Sequence, residues 1–179
     1  IVRLPFSIGV IFWNNEFKKI FIANMVLENV SKVAGPESDK ESLKAEAHFI
    51  RAYSYFQLAN TFCLPYNEQN KNELGLPIKL STSFEDNIER QPLQKVYEQI
   101  EADLAEAMKT TVPLVQNGKA RHWRANTAAV NGFAARYYLY RNDYEKSLSF
   151  ANKSLGEYNT LVNYNTNMRY GIDESVTID

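Results

Sequence analysis

The chain predicts an all-α fold, an array of helical hairpins interrupted by one long loop. Three observations predict it. First, small and aromatic residues alternate along LKAEAHFIRAYSYFQLANTF, residues 43–62, at Ala45, Phe49, Ala52, Phe56 and Ala59. Steps of four and three put all five on one helical face. Ala47, Ile50, Tyr53, Tyr55 and Leu58 fall off that line, so this helix is apolar on several sides and belongs between neighbours. Second, four other segments repeat apolar residues at helical spacing and end at Pro, Gly or Asn-Asp. Third, residues 64–89 hold Pro65, Gly75, Pro77 and the polar run YNEQNKNE, which no helix or strand pattern fits. A loop of that length is uncommon in a compact domain unless it is functional or disordered.

The elements follow in order. The start, IVRLPFSIGVIFW, reads as a strand or loop leading into a helix, as if the chain began inside a longer protein. The first helix is expected over residues 12–33, with Trp13, Phe17, Ile20, Asn24 and Leu27 on one face and Gly35-Pro36 as its stop. The second is expected over 39–62, capped by Ser38 or Asp39 and ended by Pro65. The short turn between them makes an antiparallel hairpin. Within the long loop, LGLPIKL reads as an extended piece.

The third helix is expected from Pro92 to Thr110, through Val96, Ile100, Leu104 and Met108. Glu98, Glu101, Asp103 and Glu106 are assigned to its outer face. LVQNGKARHWR then forms a basic turn around Asn117-Gly118. The fourth helix spans 126–141, with Ala129, Phe133, Tyr137 and Tyr140 on one side. Asp143 caps the fifth, 144–155, and Gly156 closes it. The last residues, IDESVTID, look like the lead into a strand.

Composition excludes several function classes. A net charge of −1 leaves no global field to hold nucleic acid or an anionic membrane. No run approaches the ~18 apolar residues of a membrane-spanning helix. Cys63 is the single cysteine, which rules out an internal disulfide and argues against a cysteine-based metal cluster. His48 and His122 lack a second ligand at metal spacing, and no nucleophile elbow, phosphate loop or dinucleotide fingerprint occurs, so no catalytic residue, metal or cofactor is assigned.

Binding chemistry rests on aromatics. Trp13 is followed by Asn14 and Asn15, and a ring beside amides suits a sugar: the ring covers C–H faces and the amides bond hydroxyls. Trp13 also heads the apolar stripe of its helix, and core packing is the heavier reading. Trp123 in the basic turn divides evenly between the two readings. Tyr66, beside Asn67 in the long loop, is a weaker candidate. Asn24 and Arg51 lie on apolar faces, where an amide or guanidinium must find partners. A structural role, tying a backbone segment or pairing with a carboxylate, outweighs a ligand contact for both.

AAVNGFAARYYLYRNDYEKSLSFANKSL, residues 128–155, resembles a tetratricopeptide unit, with Tyr138 at its aromatic site and Asp143-Tyr144 between its helices. Ala135 and Ser147 stand where Gly and Ala are common, and both stay small. A wider resemblance covers residues 12–165. WNNEFKKIFIANMVLENV, the LKAEAHFIRAYSYFQLANTF helix, GLPIKL with RQPLQKVYEQIEADLAEAM, and KARHWRANTAAVNGFAARYYLYRNDYEKSLSFANKSL occur in that order. Together they resemble the N-terminal half of SusD/RagB proteins, nutrient-binding outer-membrane lipoproteins of Bacteroidetes.

That resemblance implies a non-catalytic, tetratricopeptide-like scaffold. It also implies an oligosaccharide or other nutrient as ligand, a SusC-like TonB-dependent transporter as partner, and a lipid-anchored place on the cell surface. Asn24, Glu46, Phe49 and Arg51 carry over as scaffold residues, and no motif assigns a ligand residue. The family's lipidated cysteine and C-terminal half have no counterpart here, so residues 1–179 are expected to be one domain of a longer protein. The alternative is a generic tetratricopeptide interaction module binding a peptide. Such a module needs a concave face rich in Lys, Arg and Asn, and the cluster around Arg121 is a loop.

Overall fold

The computed structural model describes residues 6–85, 88–161, 163, 168–170 and 176–178. Five helices dominate it: α1 Phe6–Asn29, α2 Glu37–Phe62, α3 Leu93–Ala107, α4 Thr127–Tyr140 and α5 Tyr144–Glu157. Six short strands pair two by two. β1 Leu74–Pro77 meets β2 Arg90–Pro92, β3 Val115–Gln116 meets β4 Lys119–Ala120, and β5 Met168–Tyr170 meets β6 Val176–Ile178, all antiparallel. The expected extended piece is β1, and β6 lies in the C-terminal segment expected to lead into a strand.

Helix α2 is the centre of the core. Ala52, Tyr55, Phe56, Leu58 and Ala59 are fully enclosed, and α1, α3 and α4 pack on three of its sides. Alanines at 52 and 59 let backbones approach, and the aromatics between them fill the remaining space. The contact with α4 is aromatic: the Phe133 ring meets Phe49, Tyr53 and Phe56 edge-on, at 5.7, 5.3 and 5.4 Å. From α3, Val96, Ile100 and Leu104 supply a wholly buried stripe.

Several helix ends differ from the sequence reading: α1 stops at Asn29 and α3 at Ala107, short of the expected 33 and 110, and three further ends are informative. Helix α1 starts at Phe6, within the segment expected as strand or loop. Packing explains it: Phe12 and Trp13 lie 6.2 and 5.1 Å from Phe62, and a Cβ on Gly9 would come within 4.0 Å of the same ring. The far end of α2 thus anchors α1 at Phe12 and Trp13, while Ile8, Val10 and Ile11 of the preceding turn stay exposed. Helix α2 begins at Glu37 with Pro36 as its N-cap, so Ser38 and Asp39 lie inside the first turn and no side chain caps it. Glu37 and Asp39 still place negative charge at the positive end of the helix dipole. Helix α5 runs through Gly156 to Glu157, and the Tyr158 N–H continues the ladder to the Ser154 carbonyl.

Other local expectations match. The Asp143 side chain accepts from the Lys146 N–H and caps α5. Asn117 and Gly118 turn the β3–β4 hairpin with φ of 52° and 73°, the left-handed pair that a two-residue hairpin requires. The small residues of the repeat pair also bond: Ser147 Oγ donates to the Ala135 carbonyl at 2.8 Å, and Tyr138 stacks on Phe150 with planes 7° apart.

The acidic outer face assigned to α3 needs correction at Asp103, which is 1% exposed. Its place in the chain accounts for this. Val96, Ile100, Asp103 and Ala107 step by four, three and four, so Asp103 stands within the apolar stripe. Glu101 is half-buried and accepts from the hydroxyls of Tyr137 and Tyr138, both at 3.3 Å.

Candidate functional site

Under the long loop lies a buried polar network. Arg51 makes a fork with Asp103, Nε to Oδ2 at 2.9 Å and Nη2 to Oδ1 at 2.6 Å. His48 Nδ1 lies 2.8 Å from Asp103 Oδ1, and because a carboxylate only accepts, that nitrogen carries the hydrogen. Arg51 Nη1 donates to Asn24 Oδ1 at 2.7 Å, and Asn24 Nδ2 donates to the carbonyls of Lys79 and Ser81 at 3.1 and 3.0 Å. Burial pushes the Asp103 carboxyl up, but the bonds from His48 and Arg51 outweigh it and hold the group below the ordinary aspartate range.

The same stretch of loop is tied twice more. Tyr55 Oη donates to the Lys79 carbonyl at 3.0 Å and accepts from the Lys79 N–H at 2.7 Å. Glu28 accepts from the backbone and hydroxyl of Thr82, both at 2.7 Å. The β1–β2 ladder closes the base, where Gly75 is required: a Cβ there would sit 2.8 Å from Val96 Cγ2 and 2.9 Å from Leu93 Cα. Residues 79–82 are therefore held by α1 and α2 and are not a free excursion. Between them and α3 opens a groove of about 550 Å³ lined by Ile78, Leu80, Ser81, Gln91, Lys95, Glu98 and Gln99. Aliphatic floor and amide, hydroxyl and charged rim together suit a polyhydroxylated ligand.

The four sequence-selected ligand candidates lie in separate places. Trp13 is half-buried, 4.8 Å from Phe17 and 5.1 Å from Phe62, so its ring closes the α1–α2 contact. Asn14, the next residue, points outward and is exposed. Tyr66 packs 4.7 Å from Tyr97, with the Arg141 guanidinium 3.9 Å above its ring. Of the three rings among them, Trp123 alone is open, at 72% exposure. Glu46 on α2 pairs with Arg124 beside Trp123, at 2.7 and 2.5 Å, whereas Phe62 marks the Trp13 end. Sixteen residues of helix separate Glu46 from Phe62, about 24 Å along the axis. Of the four scaffold candidates, Asn24 and Arg51 join the buried network, Glu46 holds Arg124, and Phe49 faces Phe133.

A model of SusD-like proteins described as "Starch-binding associating with outer membrane" matches residues 9–139. The chain belongs to the SusD-like family. SusD-like protein P2 of Formosa agariphila is 31% identical over 138 residues, which is 76% of this chain and 25% of that protein. A SusD-like carbohydrate-binding protein from Bacteroides vulgatus superposes with a TM-score of 0.76 at 23% identity, covering 89% of this chain and 33% of that one. A laminarin-binding SusD-like protein superposes with a TM-score of 0.66 at 22% identity, covering 81% and 29%. At such identities the superpositions show a shared fold. The chain spans about a third or less of the length of these relatives.

Within this SusD-like frame, sequence reasoning missed Asp103, the partner that Arg51 needs, and Arg124, the partner of Glu46. The stripe register of Asp103 was a usable signal; nothing local in the sequence joins residue 46 to residue 124. Tyr55 was read only as an apolar position off the main stripe. Tyr55→Phe should cost about 1–3 kcal/mol, because the Lys79 N–H loses its acceptor. Urea denaturation would measure the cost, and amide exchange should quicken at Lys79 first. Unchanged exchange there would show that the hydroxyl does not hold the loop.

Proposed function

We propose that this chain is the N-terminal helical domain of a non-catalytic glycan-binding component of an outer-membrane nutrient uptake system. The full-length protein is lipid-anchored at the cell surface and works with a SusC-like TonB-dependent transporter. The family match over residues 9–139 carries this reading. The family description names starch binding and the outer membrane, and a relative of the same fold binds laminarin. The geometry supports a scaffold role for most of the chain: α2 and its buried network hold residues 79–82 in place beside an amide-rimmed groove. Among the rings selected from the sequence, Trp123 is the open one, and ligand contact is assigned there; Trp13, Asn14 and Tyr66 flank the other end of α2.

The full-length protein should be retarded in gels containing at least one polysaccharide, and should co-purify with its transporter in mild detergent. Free migration through every polysaccharide of a broad panel, together with no co-purification, would overturn the reading.

A further inference from the structure

We propose that the β3–β4 hairpin and the turn after it form a platform for an acidic sugar, with Trp123 as its floor and Arg121 and Lys119 as its anion-binding groups. The proposal rests on the glycan-binding reading and names the chemical class of ligand at Trp123. It rests on charge, exposure and rigidity together.

The charge is local. The stretch VQNGKARHWR, residues 115–124, holds Lys119, Arg121 and Arg124 and no acidic residue, although the whole chain carries −1. Arg124 is neutralised by its two bonds to Glu46. Among the described residues, neither Lys119 nor Arg121 has a carboxylate partner. The Arg121 guanidinium carbon lies 5.7 Å from the centre of the Trp123 ring, and that of Arg124 lies at 5.5 Å. These distances fall within cation–π range, about 6 Å, yet exceed flush stacking. The ring is thus steadied and remains open.

The backbone beneath is fixed. Asn126, 1% exposed, donates from Nδ2 to the carbonyls of Arg121 and Arg124 at 3.0 and 3.1 Å, while its Oδ1 accepts from the Ala129 N–H and caps α4. Arg121 N–H also donates to the Leu114 carbonyl at 2.8 Å. One buried amide therefore fixes the backbone that carries both arginines and the tryptophan between them before any ligand arrives, which lowers the ordering cost of binding. A pyranose laid on the indole puts its C–H face on the ring. A carboxylate or sulfate on that sugar then reaches the Arg121 fork, whose paired donors match either anion.

The test uses the full-length protein in affinity gels containing polygalacturonate, carrageenan or laminarin, with polyglutamate as a sugar-free anion. Retardation by polygalacturonate, carrageenan or both is expected, and the pattern tells carboxylate from sulfate. Arg121→Ala should weaken it roughly tenfold to a hundredfold, Arg121→Lys less, and Trp123→Ala comparably to Arg121→Ala, with circular dichroism unchanged. Added salt should weaken binding to either acidic polymer. Equal retardation of Arg121→Ala and wild type in acidic gels overturns the proposal. So does polyglutamate binding as tightly as the acidic polysaccharides, which would mean a bare charge patch. Retardation by laminarin alone overturns the acidic platform and leaves glycan binding standing; no retardation by any glycan removes both.

Discussion

Asp103→Ala is expected to destabilise the protein by about 3–5 kcal/mol. Asp103 is 1% exposed and takes the Arg51 fork and the His48 ring nitrogen together. Removing it strands the Arg51 charge in a site 6% exposed. A stranded charge costs more than the pair contributed, so replacing both residues by apolar ones of similar volume, Arg51→Met with Asp103→Leu, should cost far less than the two single changes summed. Urea denaturation of the three variants measures this. A loss below about 1 kcal/mol for Asp103→Ala would mean that water reaches the pair.

The same group sets a pH signature. Its folded-state carboxyl titrates below the ordinary aspartate value. The stabilisation is therefore complete above that ordinary value, near 3.9, and is lost as pH falls through the depressed one. Asp103→Asn should remove this part of the acid transition.

Phe56→Ala should cost about 3–5 kcal/mol. Its ring is 2% exposed and meets Phe133, Tyr137 and Tyr140 at 5.4, 6.4 and 5.1 Å. Truncation opens a void between α2 and α4, against the buried rings of Phe133 and Tyr137, that close packing elsewhere does not fill. For a chain of this size each kcal/mol lowers Tm by roughly 2–4 °C, so a fall of about 6–20 °C is expected in a calorimetric scan. Phe56→Leu should recover most of it. A Phe56→Ala variant melting with the wild type would show that α4 does not depend on this contact.

Much of the fold could be read from the residues, for a reason visible in α2. The Ala45–Ala59 stripe and its off-line apolar neighbours report burial on several sides, because only tertiary neighbours make a polar outer face unnecessary. Helix ends were less legible. Helix α1 extends back to Phe6 from the turn where Phe12 and Trp13 meet Phe62, and Pro36 displaces Ser38 from the cap. The candidate site was legible only in parts. The need of Arg51 for a carboxylate follows from its position, but Asp103 sits fifty-two residues away and looked like one of four acids on a surface. Trp13 and Trp123 are alike as letters. What divides them is Phe17 and Phe62 against one ring, and 72% exposure with two guanidinium groups nearby for the other.

The β1–β2 ladder has an evolutionary consequence. Pro77 faces Arg90 across it, and Arg90 donates to the carbonyls of Gly75 and Leu74 at 2.6 and 2.8 Å. The two ends of the intervening segment are thus stapled to each other whatever lies between them. Doubling the length of a flexible insert there adds only about 0.6 kcal/mol of closure entropy. New residues can accumulate between Glu85 and Arg90 at little cost to the helices, so this segment can change through evolution while the same helical spine is inherited.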